Sequence, residues 1–152
     1  MKVCVEYTSQ CVFSEREDAP YGAWSERLES YINAVYVIDD SYKHSYRGEV
    51  FLVPDGTEKV YVVSMEYSTG DSFGRSEGEL AIIHCTANED AAHRLAKKIT
   101  KNSNEFTINF EDDFGREIQI GNPGAGYFES IDCVSVDAFD VGNYKQRKYY
   151  VQ

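Results

Sequence analysis

The sequence predicts an α+β fold: an antiparallel sheet of six to eight strands with one main helix packed on it. Twelve tyrosines and eight phenylalanines occur among the 152 residues, and apolar and polar residues alternate in several runs, both of which are typical of strands. A helical spacing of apolar residues, preceded by cap signals, is clear only in the segment that follows Asn88. A chain of this length fits a single domain, 1–152, with a substantial core.

The stretch from Val60 to Cys85 organises the predicted sheet. Its first half reads as a strand, because Tyr61 and Val63 lie on one face and alternate with Val60 and Val62 on the other. Its second half, residues 80–85, is apolar on both faces. We therefore expect this second strand in the centre of the sheet.

The segment 69–75 joins these two strands and is expected to form a loop longer than a minimal hairpin turn. Gly70 and Gly74 permit a positive φ or a close backbone approach, and Asp71 can bond its own backbone. Phe73 is expected to tuck inward. A β-bulge loop is favoured over an anion-binding loop, because the lysine and the following helix of a phosphate-binding loop are missing.

A short pattern occurs twice in the first half of the chain. Residues 6–9, with Phe13 and Glu17 after them, match residues 66–69, which precede Phe73 and Glu77. The match predicts a strand–loop–strand duplication of 3–38 in 60–85. It also favours a long strand for residues 24–38, whose spacing fits either a helix or a strand.

Two hairpins are predicted. Glu49–Val53 and Lys59–Ser68 form the first, closed by residues 54–57, in which proline fixes the first turn position and glycine takes the position with a positive φ. The second joins residues 106–110 to 117–120. A glycine-rich bend at 121–126 then leads into a final strand over about 127–139.

The helix after Cys85 has clear end signals. Residues 86–89 have the form of a capping box that begins at Thr86, and Asn88 is an equally good N-cap. Glu89 and Asp90 are acidic in the first turn, and lysines follow in the last turn. The buried stripe is expected to contain Ala91, Ala92, Leu95, Ala96 and Ile99.

The net charge is −11, from 26 acidic and 15 basic residues, and it disfavours direct binding of nucleic acid. It permits attraction to a basic protein surface. The four cysteines have neither a C-x-x-C pair nor zinc spacing, so we expect them reduced in a cytoplasmic protein. We expect no signal peptide and no membrane association. The tail 142–152 is basic and aromatic.

Residue spacing reveals no catalytic constellation. The histidines lie far apart in the sequence, no serine stands in a G-x-S-x-G turn, and no pair of carboxylates is singled out. His84 is expected to be a satisfied core histidine. We therefore predict a binding protein that is not an enzyme and has no metal or cofactor.

Acidic residues concentrate in two regions, and a solvated face explains most such runs. The functional interpretation is that they imitate nucleic-acid phosphates and occupy a basic groove of a partner protein. The candidate partner-binding residues are Glu111, Asp112, Asp113, Glu129, Asp132 and Asp137.

The segment Tyr67-Ser68-Thr69-Gly70-Asp71-Ser72-Phe73-Gly74, followed by a strand and a capped helix, resembles one found in small, uncharacterised bacteriophage proteins. Residues 126–129, running into a Val/Phe-rich strand, carry the same resemblance, which covers about 60–140. It implies an early, non-structural phage protein. Such proteins commonly bind and disable host immune systems, so the resemblance implies an anti-CRISPR-like inhibitor of a host nucleic-acid-handling effector.

An alternative function is a sponge that sequesters a cyclic or ADP-ribose-type nucleotide immune signal. Aromatic side chains would stack on the base, and the few local cations would hold the phosphates, assisted by the basic tail of a second subunit in a homo-oligomer. The candidate ligand-binding residues are Lys59, Tyr67, Gly70, Asp71, Phe73, Gly74 and Arg75.

Overall fold

The computed structural model of the protein describes residues 1–15, 24–39, 48–71 and 73–143. For residues 9–15, 24–30, 75, 77 and 143 it describes the backbone alone. Residues 144–152 of the basic tail lie outside the described residues. The elements run in the order β1 (Lys2–Glu15), β2 (Trp24–Ile38), β3 (Gly48–Leu52), β4 (Lys59–Asp71), β5 (Gly74–Thr86), α1 (Glu89–Lys101), β6 (Thr107–Glu111), β7 (Glu117–Gly121), β8 (Glu129–Asp140) and β9 (Gly142–Asn143).

The α+β class with one helix is confirmed for the described residues, but the single sheet of six to eight strands is wrong. The strands divide into a four-stranded sheet β3–β1–β2–β9, a three-stranded sheet β5–β4–β8 and the two-stranded hairpin β6–β7. All the pairs are antiparallel except the short parallel contact of β9 with β2.

The sheet β5–β4–β8 is the middle layer of the molecule, and this explains why the strands separate. On one face of this sheet, Val60 and Val62 pack with Val3 and Val5 of the four-stranded sheet. On the other face, Val63 and Met65 pack with α1 and the β6–β7 hairpin. Stacking buries both faces of β4, whereas one wide sheet with a single helix would leave apolar residues in water.

The long strand predicted for 24–38 is confirmed as β2, which pairs with β1 from Lys2↔Ile38 to Glu15↔Trp24. The alternation predicted for β4 is also confirmed. The central position predicted for 80–85 is wrong, because β5 is an edge strand of its sheet. Its apolar pattern arises because both faces are covered by other layers. The duplication of 3–38 in 60–85 stays a prediction.

The turn predicted at residues 54–57 is confirmed, but the hairpin around it is wrong. Thr57 N donates to Pro54 O at 3.2 Å, and Gly56 has a φ of 83°. However, β3 pairs with β1, while β4 pairs with β5 and β8. The turn therefore carries the chain from one sheet to the next. The pairing of β3 with β1 continues past β3, because Val53 N donates to Met1 O at 3.0 Å.

The helix is confirmed, with Asn88 as its N-cap. The Asn88 side chain accepts from Ala91 N at 3.1 Å. Leu95 and Ile99 are buried against the middle sheet. The second hairpin is confirmed as β6–β7 and the strand over about 127–139 as β8, but it is not the final strand, because β9 follows it. Within the described residues, no helix has the length and apolar character that crossing a bilayer requires.

Candidate functional site

The β4–β5 hairpin ends in a tight turn, which corrects two predictions from the sequence. Pairing continues to Asp71↔Gly74, so only residues 72 and 73 separate the strands and no long loop forms. Phe73 is 97% exposed and does not tuck inward. At the apex of so short a turn, its side chain projects beyond the layers that could cover it, while its amide donates to Asp71 Oδ1 at 2.9 Å.

The two glycines of this hairpin have different conformations. Gly70 has a φ of 118°, as predicted for a position that only glycine accepts easily. Gly74 is not in the positive-φ region, and a Cβ there would contact nothing within 4 Å. Gly74 therefore has no conformational requirement, and that half of the prediction is wrong.

An exposed aromatic pair, Tyr127 and Phe128, also lies beside this hairpin. Tyr127 is 92% and Phe128 is 53% exposed, and their rings meet edge to face with centroids 4.8 Å apart. Gly70 N donates to Phe128 O at 2.9 Å, which fixes the pair next to the end of β4. We call Phe73, Tyr127 and Phe128 the aromatic end. Sequence reasoning missed Tyr127 and Phe128, although two aromatic residues after a glycine-rich bend were a visible signal.

Carboxylates border the aromatic end where β8 begins. Asp132 accepts from Ser68 Oγ at 2.6 Å, and Glu129 accepts from Thr69 Oγ1 at 3.4 Å. Burial, followed by the charges of Glu79 and Glu129, raises the pKa of Tyr67 above its ordinary value. Glu129 and Asp132 therefore place negative charge beside the aromatic end.

The structure places Glu111, Asp112 and Asp113 at the β6–β7 turn, where Asp112 and Asp113 accept hydrogen bonds from the backbone. Asp113 accepts from the Thr86 hydroxyl and, at 2.8 Å, from Ala87 N. Asp112 accepts from Phe114 N at 2.9 Å and from Arg116. Desolvation raises the pKa of Asp112, but these hydrogen bonds and the Arg116 charge outweigh it and hold the pKa below its ordinary value.

A groove of about 890 Å³ separates α1 from the β6–β7 hairpin. The acidic residues 111–113 and 117 line the hairpin wall, and Arg94 and Lys98 line the helix wall. Lys98 Nζ donates to Asn109 O across the groove at 2.6 Å. Lys98 and two of the four carboxylates in this groove, those of Asp112 and Asp113, are thus already engaged in hydrogen bonds within the chain. Of the six predicted acidic residues, only Glu129, Asp132 and Asp137 share one strand, β8.

The residues predicted for the nucleotide alternative do not all come together. Lys59 begins β4 and Gly70 lies near its end, about 35 Å away in an extended strand. Tyr67 is half-buried against the helix-side core. Gly70, Asp71, Phe73 and Gly74 share the hairpin tip, and the Arg75 side chain lies outside the described residues.

His84 is buried, but it is not satisfied as predicted. Its Nε2 atom has no hydrogen-bond partner, and its ring meets the edges of Phe51 and Phe110. Burial lowers the pKa of His84, while the charges of Asp113 and Asp112 oppose that shift. His84 is therefore neutral near pH 7, enclosed by aromatic rings.

In the part of the chain that the structure describes, no three His, Cys, Asp or Glu side chains come close enough to hold a metal ion. The prominent surface feature is thus the aromatic end with its acidic border. Comparison with protein-family models, with curated proteins and with solved structures finds no match for this chain.

Proposed function

We propose that this protein is a non-enzymatic, phage-type counter-defence protein that binds a host nucleic-acid-handling immune effector in the host cytoplasm and blocks it. The observation that carries the proposal is the 97% exposure of Phe73 at a hairpin tip together with the 92% exposure of Tyr127, whose neighbour Phe128 accepts a hydrogen bond from Gly70 of the same hairpin. Its contact surface is the aromatic end together with the acidic side chains of β8.

Exposed aromatic side chains at one place favour protein binding. Aromatic residues bury large areas with little conformational freedom to lose, and they are enriched among residues that dominate binding energy. Phe73 presents its ring to solvent, while Tyr127 and Phe128 hold each other edge to face. Such a preordered apolar surface suits a partner with a matching pocket.

The charge along β8, which begins at the aromatic end, indicates the kind of partner. The chain carries a net charge of −11, and Asp132 and Asp137 are exposed on β8. A negative surface accelerates association with a basic groove and can occupy the place of nucleic-acid phosphates. A host protein that handles nucleic acid offers such a groove.

The phage setting rests on the resemblance of residues 67–74 and 126–129 to small bacteriophage proteins. These two segments meet at the aromatic end, through the hydrogen bond from Gly70 N to Phe128 O. The residues of the resemblance and the exposed aromatic residues therefore coincide, which supports reading both as parts of one binding surface.

The test is capture of a host protein from bacterial lysate by the tagged chain, combined with plaque counts on an immune host. We expect one basic protein to co-purify and plaques to increase. The double variant Phe73→Ala/Tyr127→Ala should lose both effects, whereas Phe106→Ala, which removes a 70% exposed ring at the start of β6–β7, should keep them.

Charge is tested at Asp137, because it is exposed whereas Asp112 and Asp113 hold the fold. Asp137→Lys should slow association more than it speeds dissociation, and added salt should weaken the complex, since salt screens charges beyond about 8–10 Å. If neither Asp137→Lys nor added salt changes the association rate or the affinity, the proposed attraction to a basic surface is contradicted. Absence of capture and of plaque gain contradicts the function itself.

The nucleotide sponge is the weaker alternative, because Lys59 is remote from the hairpin tip and Tyr67 is half-buried. Calorimetry with cyclic and ADP-ribose-type nucleotides tests it, with Arg75→Ala as the control variant. Heat that disappears in this variant would favour the sponge, and no heat with any nucleotide would reject it.

A further inference from the structure

Strand β8 is a long edge of the middle sheet. It has 12 residues, Glu129–Asp140, and among the described strands only β4 pairs with it. An edge strand presents a row of backbone donors and acceptors to which another strand can pair. The free edge of β8 is therefore a place where an extended segment of another protein could pair with this sheet.

The register shows which amides of β8 face outward. Val141 N donates to Glu58 O at 2.8 Å, and the pairing Lys59↔Asp140 makes these two residues directly opposite. In an antiparallel pair, such hydrogen-bonded positions recur at every second residue. Residues 133, 135, 137 and 139 therefore point their backbone groups at β4. The outward groups belong to Val134, Val136 and Ala138.

The side chains along this edge all carry one sign of charge. Between residues 129 and 140 there is no Lys, Arg or Pro, and the charged residues are Glu129, Asp132, Asp137 and Asp140. Two copies of β8 paired through this edge would bring together two strands whose charged side chains are all acidic, which like-charge repulsion disfavours. A strand bearing lysine or arginine would instead gain a favourable cross-strand pair at these positions.

We propose that β8 accepts an extended basic segment of the target protein as a fourth strand of the sheet β5–β4–β8. The choice of target rests on the proposed function, whereas the mode of docking stands on β8 itself. The aromatic end directly precedes β8, since Phe128 adjoins Glu129. The aromatic anchors and the paired strand thus form one continuous surface.

The probe is a labelled basic peptide of about ten residues that alternates lysine with threonine, long enough to span roughly 33 Å of edge. Its binding is measured by fluorescence anisotropy at low salt. The matched protein variants are Ala138→Pro and Ala138→Val. Ala138 is exposed and its amide faces outward, so proline removes a donor for the added strand without removing one from the β4 ladder.

We expect the peptide to bind the wild type and Ala138→Val alike, and to bind Ala138→Pro about tenfold more weakly. A peptide of the same charge, N-methylated at alternate residues, should also lose binding to the wild type, and this arm does not depend on the folding of any variant. Equal binding of the methylated peptide, or no binding of the basic peptide, overturns the proposal. The proposal is also overturned if the wild type forms a dimer that Ala138→Pro abolishes. In that case β8 pairs with a second copy of this chain and not with a basic segment.

This test separates the docking mode from the proposed function. The peptide assay requires no host protein, so strand docking can hold even if no host protein is captured. Conversely, a captured host protein that requires Phe73 but binds Ala138→Pro as tightly as the wild type supports the proposed function and overturns the docking mode.

Discussion

The backbone amide of Gly70 donates a hydrogen bond of 2.9 Å to the carbonyl oxygen of Phe128. This single bond joins the tip of the β4–β5 hairpin to the exposed pair Tyr127–Phe128. Because Gly70 reaches this position with a φ of 118°, the geometry of the aromatic end depends on a glycine whose own side chain contributes no contact.

Gly70→Ala should therefore destabilise the protein by about 1–3 kcal/mol, because alanine is strained at this φ. Gly74→Ala is the matched control, since a Cβ there meets nothing within 4 Å and φ is not positive. Urea unfolding measures both variants. Equal losses of stability in the two would contradict the conformational difference.

Leu95→Ala should reduce the free energy of unfolding by about 2–5 kcal/mol, because Leu95 is fully buried between α1 and the middle sheet. Lys97→Ala, on the exposed face of the same helix, should change it by less than about 0.5 kcal/mol. Chemical denaturation tests this pair. A negligible cost at Leu95 would mean that the helix stripe does not face the sheet.

Asp113→Ala should cost about 1–3 kcal/mol, because it leaves the buried Thr86 hydroxyl and the Ala87 amide without their acceptor. Glu111→Ala removes an exposed carboxylate two residues away and should have little effect. The melting temperatures of the two variants provide the measurement. A larger fall in melting temperature for Glu111→Ala than for Asp113→Ala would show that Asp113 does not anchor the β6–β7 turn.

His84 should make the protein less stable in mild acid. Its pKa is lowered from 6.5 in the fold by burial, so the unfolded chain binds the proton more tightly. The stability associated with neutral His84 is complete above about pH 6.5 and falls as the pH drops through the lowered pKa. Asp112 and Asp113 are the charged groups that partly offset this loss.

His84→Phe should remove this acid sensitivity, because phenylalanine suits the space between Phe51 and Phe110 and does not titrate. Urea unfolding of both proteins between about pH 7.5 and 5.5 isolates the contribution of His84 from the background. A loss of stability in the variant as large as in the wild type would assign the acid effect to another group.

Hydrogen exchange should distinguish alternate amides of β8. The amides of Cys133, Ser135 and Asp137 point at β4 and should exchange slowly, while those of Val134, Val136 and Ala138 should exchange quickly. Residue-resolved NMR measures this alternation. Uniform protection along the strand would show that another segment already covers the edge.

Local patterns in the sequence predicted most individual elements. The helix followed from the cap signals at residues 86–89 and the spacing of Leu95 and Ile99. The β6–β7 hairpin followed from the strand patterns of residues 106–110 and 117–120. These features depend on contacts within a few residues of each other, so they are readable without the fold.

The division of strands into sheets could not be read in the same way. Residues 54–57 form the predicted turn, yet the strands on either side belong to different sheets, because long-range partners compete for them. Phe73 illustrates the same limit at the candidate site. Its apolar character suggested burial, but only the position of the hairpin tip relative to the other layers decided its exposure.

By itself, the sequence determined the α+β class, the helix and its buried stripe, and the strongly negative charge. The tertiary structure decided which strands pair, that β8 is an edge, that Phe73, Tyr127 and Phe128 lie exposed, and that Asp112 and Asp113 support the fold. The physical reason is the distance along the chain between the residues that interact. Periodicity, caps and turns arise from neighbouring residues, whereas sheet order and exposure depend on which distant segments cover each surface.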